Sequence, residues 1–521
     1  MISCSILEQP GKWRIYGIFS GLLLALAPAF VLVVSLGVSP SSPAWFDSGF
    51  GLSVIRTLLV AGVAGVATLL IGLPCGILGG LYEFPLRRLF LGLVALPLLV
   101  PSFLWAIGLS MLRVALGLPS NSFLSGFPGT VIAFTITGLP LVVFVAMIAV
   151  RGISKGQMDA ARLAGGERFL FRQTLRNVFP ATAMAAVLAA VLTLSDPAPG
   201  QILGYRGAAS QMLTSFSALY DFSLAARQCL VLAVIVLAIT FPIAAGLGPR
   251  LAEGLLALDV QPAPLTRHPT VSRIAPWFFL ALISLMIAAP LAGLVQPLIY
   301  GFQFSRAISE ALRTIESTLV YGITAGLLAT IMGSLMALCA GRNRRLRSLL
   351  VAGLFIVIAL PPSLGALGYV YTASNAPASL DFIFRSRFTV GLWLALRLFP
   401  IACVFAMRRL GTSSPSWANA AALHGVSLPR FLFRVVCPWL FPAAMLSGLL
   451  IALLAVADVS SVLLLHPPGQ GSLPLAIFTV MANAPESLVA SLCLVYIGGA
   501  AMLLTLGCVV IGFLKQLGLN R

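Results

Sequence analysis

Twelve apolar stretches divide this 521-residue chain, near 15–37, 53–81, 89–112, 129–150, 180–199, 223–247, 274–297, 315–340, 348–370, 388–407, 440–465 and 487–514. Each is close to the roughly 20 residues that a helix needs to cross a hydrocarbon core of about 30 Å. Within a bilayer no water satisfies backbone N–H and C=O groups, so only helices and closed barrels can span it. Uninterrupted runs of this length, without strand-like alternation, select the helix. The sequence predicts an all-α polytopic membrane protein with about 12 transmembrane helices. Its composition, 60% hydrophobic and 9% charged, departs from the roughly 25% charged residues of soluble domains. A soluble globular protein and a single-pass anchor are both excluded. The eight cysteines are scattered, mostly within apolar runs, and never form CxxC. They read as small core or lipid-facing residues, with no disulfide framework and no metal site.

A net charge of +18 would point to nucleic acid in a soluble chain, but here its placement decides its meaning. With the N-terminus inside, 23 of the 32 basic residues fall in inside segments beside only six acids, whereas outside and within the spans nine face eight. That is positive-inside topology, with both termini cytoplasmic and no nucleic-acid partner. Ala25-Leu26-Ala27 resembles a signal-peptide cleavage site. The apolar run nevertheless continues to Val38, and span seven occupies the matching place later in the chain, so residues 15–37 read as a retained first span.

Comparison of the chain with itself reveals an internal duplication. Thr57-Leu58, Gly72 and Pro101-Ser102 recur as Thr318-Leu319, Gly333 and Pro362-Ser363, all 261 residues later. Arg168-Phe169-Leu170-Phe171-Arg172, Phe179-Pro180-Ala181 and Asp196 recur as Arg430-Phe431-Leu432-Phe433-Arg434, Phe441-Pro442-Ala443 and Asp458, all at 262. Six spans per copy keep both copies in one orientation, giving two parallel six-helix repeats with the pathway expected between them. The first repeat covers 1–247, a proline-containing cytoplasmic linker 248–273, and the second repeat 274–521.

Each half has one long basic cytoplasmic loop, 151–180 in the first and 408–439 in the second. The first holds Asp159, Ala160, Ala161 and Gly165; the second holds Asn419, Ala420, Ala421 and Gly425 at the same spacing. Asp and Asn favour helix N-caps, Ala and Leu favour helix, and Gly lets the chain turn out of it. The expected structure is a short helix, a turn and a second basic helix at the membrane surface. Such segments also suit simple contact with lipid headgroups, but two equivalent elements on one chain fit a dimeric cytoplasmic partner better.

These loops resemble the Glu-Ala-Ala loop of the permease subunits of binding-protein-dependent ABC importers, in which Gly follows after three residues and Pro after twelve more. The second loop matches that spacing from Asn419 through Gly425 to Pro438; the first matches from Asp159 to Gly165, with its Pro180 two places late. Both replace the leading Glu. A fused chain with one loop per half is similar to the iron(III) and thiamine type of permease, and 463–494 is similar to the segment after the second loop in ferric-iron permeases. The resemblance implies a type I importer fold in a bacterial inner membrane. It also implies two copies of a cytoplasmic ABC ATPase docked at the two loops and an extracytoplasmic binding protein that delivers the substrate. On this expectation ferric iron is the first choice of substrate, thiamine the second, and a phosphonate or polyamine the third.

A phosphate-cradling P-loop needs Gly-Lys-Ser/Thr, and the Gly11-Lys12 pair is followed by Trp13. The chain is therefore expected to have no catalytic residues and no cofactor of its own, ATP being used by the partner. A major-facilitator-like secondary transporter, also twelve spans in two halves, would need Gly-x3-Asp-Arg-x-Gly-Arg-Arg between spans two and three. The segment there is Gly80-Leu81-Tyr82-Glu83-Phe84-Pro85-Leu86-Arg87-Arg88.

Five residues stand out as pathway candidates. Asp196 and Asp458 lie at equivalent places deep along their spans, where a carboxylate usually faces a cavity or a counter-charge; a helix-end Asp at the outer interface is the alternative. Arg397 has no counterpart in the first half, and either pairs with Asp458 or lines the path. Pro101 and Pro362 are expected to kink their spans and free carbonyls toward a cavity. Arg227 reads as an interfacial residue reaching for water.

Overall fold

The computed structural model describes residues 12–38, 48–256, 265–414 and 416–516. The first half runs through α1 (Lys12–Val38), α2 (Ser48–Leu81), α3 (Arg87–Leu99), α4 (Ser102–Ala115), α5 (Gly126–Arg151), α6 (Lys155–Leu194), α7 (Ala198–Ile202), α8 (Ala208–Ser217) and α9 (Phe222–Leu256). The second half opens with α10 (Pro269–Ile283), which continues through a π-helical turn into α11 (Ala289–Val295). There follow α12 (Phe304–Ala340), α13 (Arg344–Ala359), α14 (Pro362–Asn375), α15 (Asp381–Phe384), α16 (Arg387–Gly411) and α17 (Ser416–Leu423). The chain ends with α18 (Leu428–Phe431), α19 (Cys437–Ala457), α20 (Val459–Leu465), α21 (Leu473–Val480) and α22 (Glu486–Gln516). Among the described residues ten helices are long and apolar enough to cross a membrane, and up to 12 if the bent pairs α3–α4 and α13–α14 each count as one span.

Glycines set the helix packing. A Cβ on Gly72, Gly76 or Gly80 of α2 would stand 2.7, 2.3 and 3.0 Å from atoms of Val142, Ala146 and Val150 of α5. Lipid tails give apolar helices no hydrophobic reason to associate, so close contact through small residues supplies the attraction. The matched order of these contacts makes α2 and α5 parallel, so α3 and α4 together must carry the chain across once. In the second half Gly391 against Thr324 and Gly333 against Ala402 align α12 and α16 in the same sense.

The halves also exchange their first helices. A Cβ on Gly368 of α14 would lie 1.8 Å from the Pro28 carbonyl oxygen of α1, and one on Gly108 of α4 would lie 2.5 Å from that of Pro290 in α11. Each leading helix thus packs on the bent pair of the other half. Large exposed apolar side chains such as Phe19, Leu70, Trp277 and Leu327 cover outer faces, as lipid contact requires.

Several expectations need correction. Pro101 and Pro362 mark full bends, of 101° and 78°, rather than kinks. A proline offers no N–H and pushes its predecessor into extended backbone; Val100 adopts φ −108°, ψ 127°, and in the second half Pro361 precedes Pro362 and sits at φ −54°, ψ 128°. The basic run after Gly166 is no separate surface helix but the first turns of the span itself, continuous to Leu194. The expected spans 180–199 and 440–465 both break at their aspartates. Part of the expected linker belongs to α9, which continues to Leu256, and 257–264 lie outside the described residues. Arg227 is buried, with Nη2 donating to Ser223 (2.9 Å), because the start of α9 packs against α8.

Candidate functional site

Where the halves meet lies a cavity of about 410 Å³, and Pro101, Asp196, Pro362, Arg397 and Asp458 all line it. Asp196 follows the last turn of α6. Its Oδ1 accepts from the Ala198 amide (3.1 Å) at the start of α7, and its Oδ2 accepts from the Ser102 hydroxyl at the start of α4. Asp458 occupies the break between α19 and α20. Its Oδ1 accepts from the Ser461 amide (3.0 Å), its Oδ2 from the Ser461 hydroxyl (2.9 Å), and Arg397 of α16 pairs with it. Asp458 is therefore the N-cap of α20 and a cavity residue at once, whereas Asp196 lies in the cavity between the C-cap of α6, Ser195, and the N-cap of α7, Pro197.

Charge is distributed unevenly across this chamber. Arg397 and Asp458 neutralise each other, leaving the Arg397 Nε without a hydrogen bond. Asp196 has a hydroxyl and an amide as its hydrogen-bond partners. Most of the remaining wall is apolar, with Phe103, Phe134 and Phe478 among it. The chamber thus holds two aspartates and one arginine, and the aspartate left over from the ion pair, Asp196, has only neutral hydrogen-bond partners.

Thr57 and Thr318, singled out in the sequence only as repeated residues, have a structural role. Thr57 Oγ1 accepts from the Ala208 amide (2.8 Å) and Thr318 Oγ1 from that of Leu473 (3.1 Å), pinning the first turns of α8 and α21. Sequence reasoning passed over Pro28 with Pro290 and Gly108 with Gly368, although they recur at the same spacing of 260 to 262.

At the two repeated loops, α6 starts with a reciprocal Ser154–Gln157 capping box, and Met158 and Ala161 are buried. The helix then breaks at Gly165-Gly166. The left-handed residue is Gly166 (φ 66°) rather than the expected Gly165, whose φ of −170° is extended. In the second loop Gly425 does take the left-handed conformation (φ 66°). Ala160, Leu163 and Ala164 are exposed along one strip, as are Ala420, Leu423 and His424. Leu163 and Leu423, at matching places, are 89% and 88% exposed.

The two loops are braced differently. Arg162 reaches Asp159 (3.5 Å), Glu167 (2.7 Å) and the Thr266 hydroxyl (2.9 Å), while the Tyr82 hydroxyl donates to Glu167 (2.8 Å). Thr266 exchanges backbone hydrogen bonds with Leu81 and Glu83, tying the end of the linker to this loop. Arg267 holds the Glu83 carboxyl below its ordinary range, and burial pushes the Tyr82 hydroxyl up. In the second loop aromatic packing takes over: Trp417 meets Trp439 edge-on at 5.1 Å, and the Arg409 guanidinium lies 3.8 Å over the Trp439 ring.

Residues 72–248 match the family described as binding-protein-dependent transport system inner membrane component. The chain is 24% identical over 439 residues to the thiamine transport system permease protein ThiP of Brucella abortus (strain 2308), covering 78% of this chain and 77% of that one. The corresponding protein of Brucella suis biovar 1 (strain 1330) gives the same identity and coverage. No solved structure gives a significant match.

Proposed function

We propose that this chain is a fused, multi-pass permease of a binding-protein-dependent ABC importer and that it carries thiamine through the chamber between its halves. The observation that carries this reading is the unbalanced Asp196 in a largely apolar, partly aromatic wall. Thiamine joins a permanently charged thiazolium to an aromatic pyrimidine, so one carboxylate and several aromatic rings suit it. A trivalent iron ion prefers several oxygen donors, and a polyamine would call for more than one carboxylate. Thiamine therefore moves ahead of ferric iron, and the similarity to the thiamine transport permeases of Brucella supports that order.

Permeases of this class work with a cytoplasmic ATPase and a substrate-binding protein. We assign one ATPase copy to each loop, at Asp159–Gly166 and Asn419–Gly425, with Leu163 and Leu423 as the apolar contacts that enter the partner. Their matched exposure supports that assignment. On this reading both termini are cytoplasmic, ATP is consumed by the partner alone, and 1–247 and 274–521 act as the two repeats joined by 248–273. The test is ATP hydrolysis by the reconstituted complex with its binding protein. Thiamine should stimulate it and ferric iron should not; stimulation by iron alone would reverse the assignment.

A further inference from the structure

At the cytoplasmic end of the second half, a second cavity of about 430 Å³ opens beside α17. Three arginines line it: Arg14 at the start of α1, Arg342 in the turn before α13, and Arg347 in the first turns of α13. Trp417 and Trp439 form part of the opposite wall, and no described carboxylate lines the cavity. Arg347 is only 1% exposed. Its Nε donates to the Gly341 carbonyl, but both terminal nitrogens are buried without a hydrogen bond. Arg87, at the corresponding place in the first half, instead uses Nε and Nη2 together on the Gly79 carbonyl.

A buried guanidinium with unmade donors is costly unless a partner supplies acceptors and opposite charge. The like charge of Arg342 beside it raises that cost. We propose that this cavity binds a phosphate group, presented by an anionic lipid headgroup or by a free phosphorylated compound. A tetrahedral phosphate offers charge and acceptor oxygens in several directions, whereas a planar carboxylate would serve a single arginine fork. The volume accommodates the group that bears the phosphate, and the indole walls suit a ligand at the membrane interface. The inference goes beyond the transport reading. Because Trp417 and Ala418 belong to α17, an occupant would also brace that helix.

The test uses the full chain in phosphatidylcholine nanodiscs, following thermal unfolding as inorganic phosphate is titrated in. A parallel series replaces part of the lipid with phosphatidylglycerol and adds no phosphate. An upward Tm shift with soluble phosphate identifies a free compound as the source; a shift confined to phosphatidylglycerol identifies the headgroup. In either series Arg347→Met should weaken the apparent affinity about tenfold or more, since charge-assisted hydrogen bonds are lost. Arg342→Gln should weaken it less, and the exposed, remote Arg385→Gln should not change it. If Arg347→Met does not fold, Arg342→Gln decides alone. No shift in either series, or equal shifts in wild type and the cavity variants, overturns the proposal.

Discussion

Gly108 of α4 faces the carbonyl of Pro290, and Gly368 of α14 faces that of Pro28; Thr57 catches the Ala208 amide as Thr318 catches that of Leu473. The charged positions part company. Asp196 rests on a hydroxyl and an amide, Asp458 on a guanidinium; Arg162 ties the first loop to the linker, while tryptophans brace the second. The difference separates two kinds of constraint. Helix crossings in lipid depend on backbone approach, so both halves need the same small residues at the same points. On the proposed path a single carboxylate suffices, which leaves the second copy free to carry a counter-charge.

The largest expected effect comes from breaking the asymmetric pair. Arg397→Met strands Asp458 in a buried place, at a cost of about 3–5 kcal/mol in thermal unfolding, and adding Asp458→Asn should recover most of it. A single variant as stable as wild type would show that the pair does not neutralise the chamber. Next, Gly368→Val and Gly108→Val drive a side chain into a backbone carbonyl, costing about 1–3 kcal/mol each. Comparable losses would support a symmetric exchange of first helices, and a loss in one alone would break it.

A smaller effect is expected at the loops. Gly166→Val and Gly425→Val force a branched residue into the left-handed region, at about 1–2 kcal/mol of local strain. Less ATPase should co-purify with each variant, while the chain remains in the membrane. If only one variant loses ATPase, the loops do not couple equally. The smallest effect concerns the tie between Glu83 and Arg267. Because the folded-state carboxyl is held below its ordinary value, the tie is in place above the unfolded value and is lost as pH falls through the folded one. Protection against hydrogen exchange at 265–268, taken relative to the intrinsic rate at each pH, should fall in that acid range, and Glu83→Gln should make that protection independent of pH there.

Much of this was legible in the sequence. Apolar run length gave the helices, and the constant spacing gave the duplication; of the five pathway candidates lining one cavity, four are the repeated prolines and aspartates that mark breaks in both halves, and Arg397 is the partner of Asp458. The severity of those breaks was not legible. Pro361-Pro362 could equally have kinked a straight span, whereas α13 and α14 meet at 78° and pack against helices of both halves. Both Gly165 and Gly166 leave the helical conformation, and which of the two takes positive φ was not legible, because adjacent glycines are both permissive. The exchanged glycine and proline contacts were written in the sequence at the common spacing, but glycine and proline are too frequent in such a chain to stand out without coordinates. The two buried arginines beside α17, Arg14 and Arg347, come from the start and the middle of the chain, so no local pattern joins them.

The central claim is that Asp196 serves the passage of a cation rather than the stability of the fold. The most direct measurement is thiamine uptake into proteoliposomes containing the complete importer, with wild-type chain or Asp196→Asn, alongside thermal unfolding and ATPase co-purification. The account predicts ATP-dependent thiamine accumulation that falls about tenfold or more in the variant, as expected for loss of a charge-assisted contact, with folding and ATPase binding retained. Wild-type uptake by Asp196→Asn would contradict it.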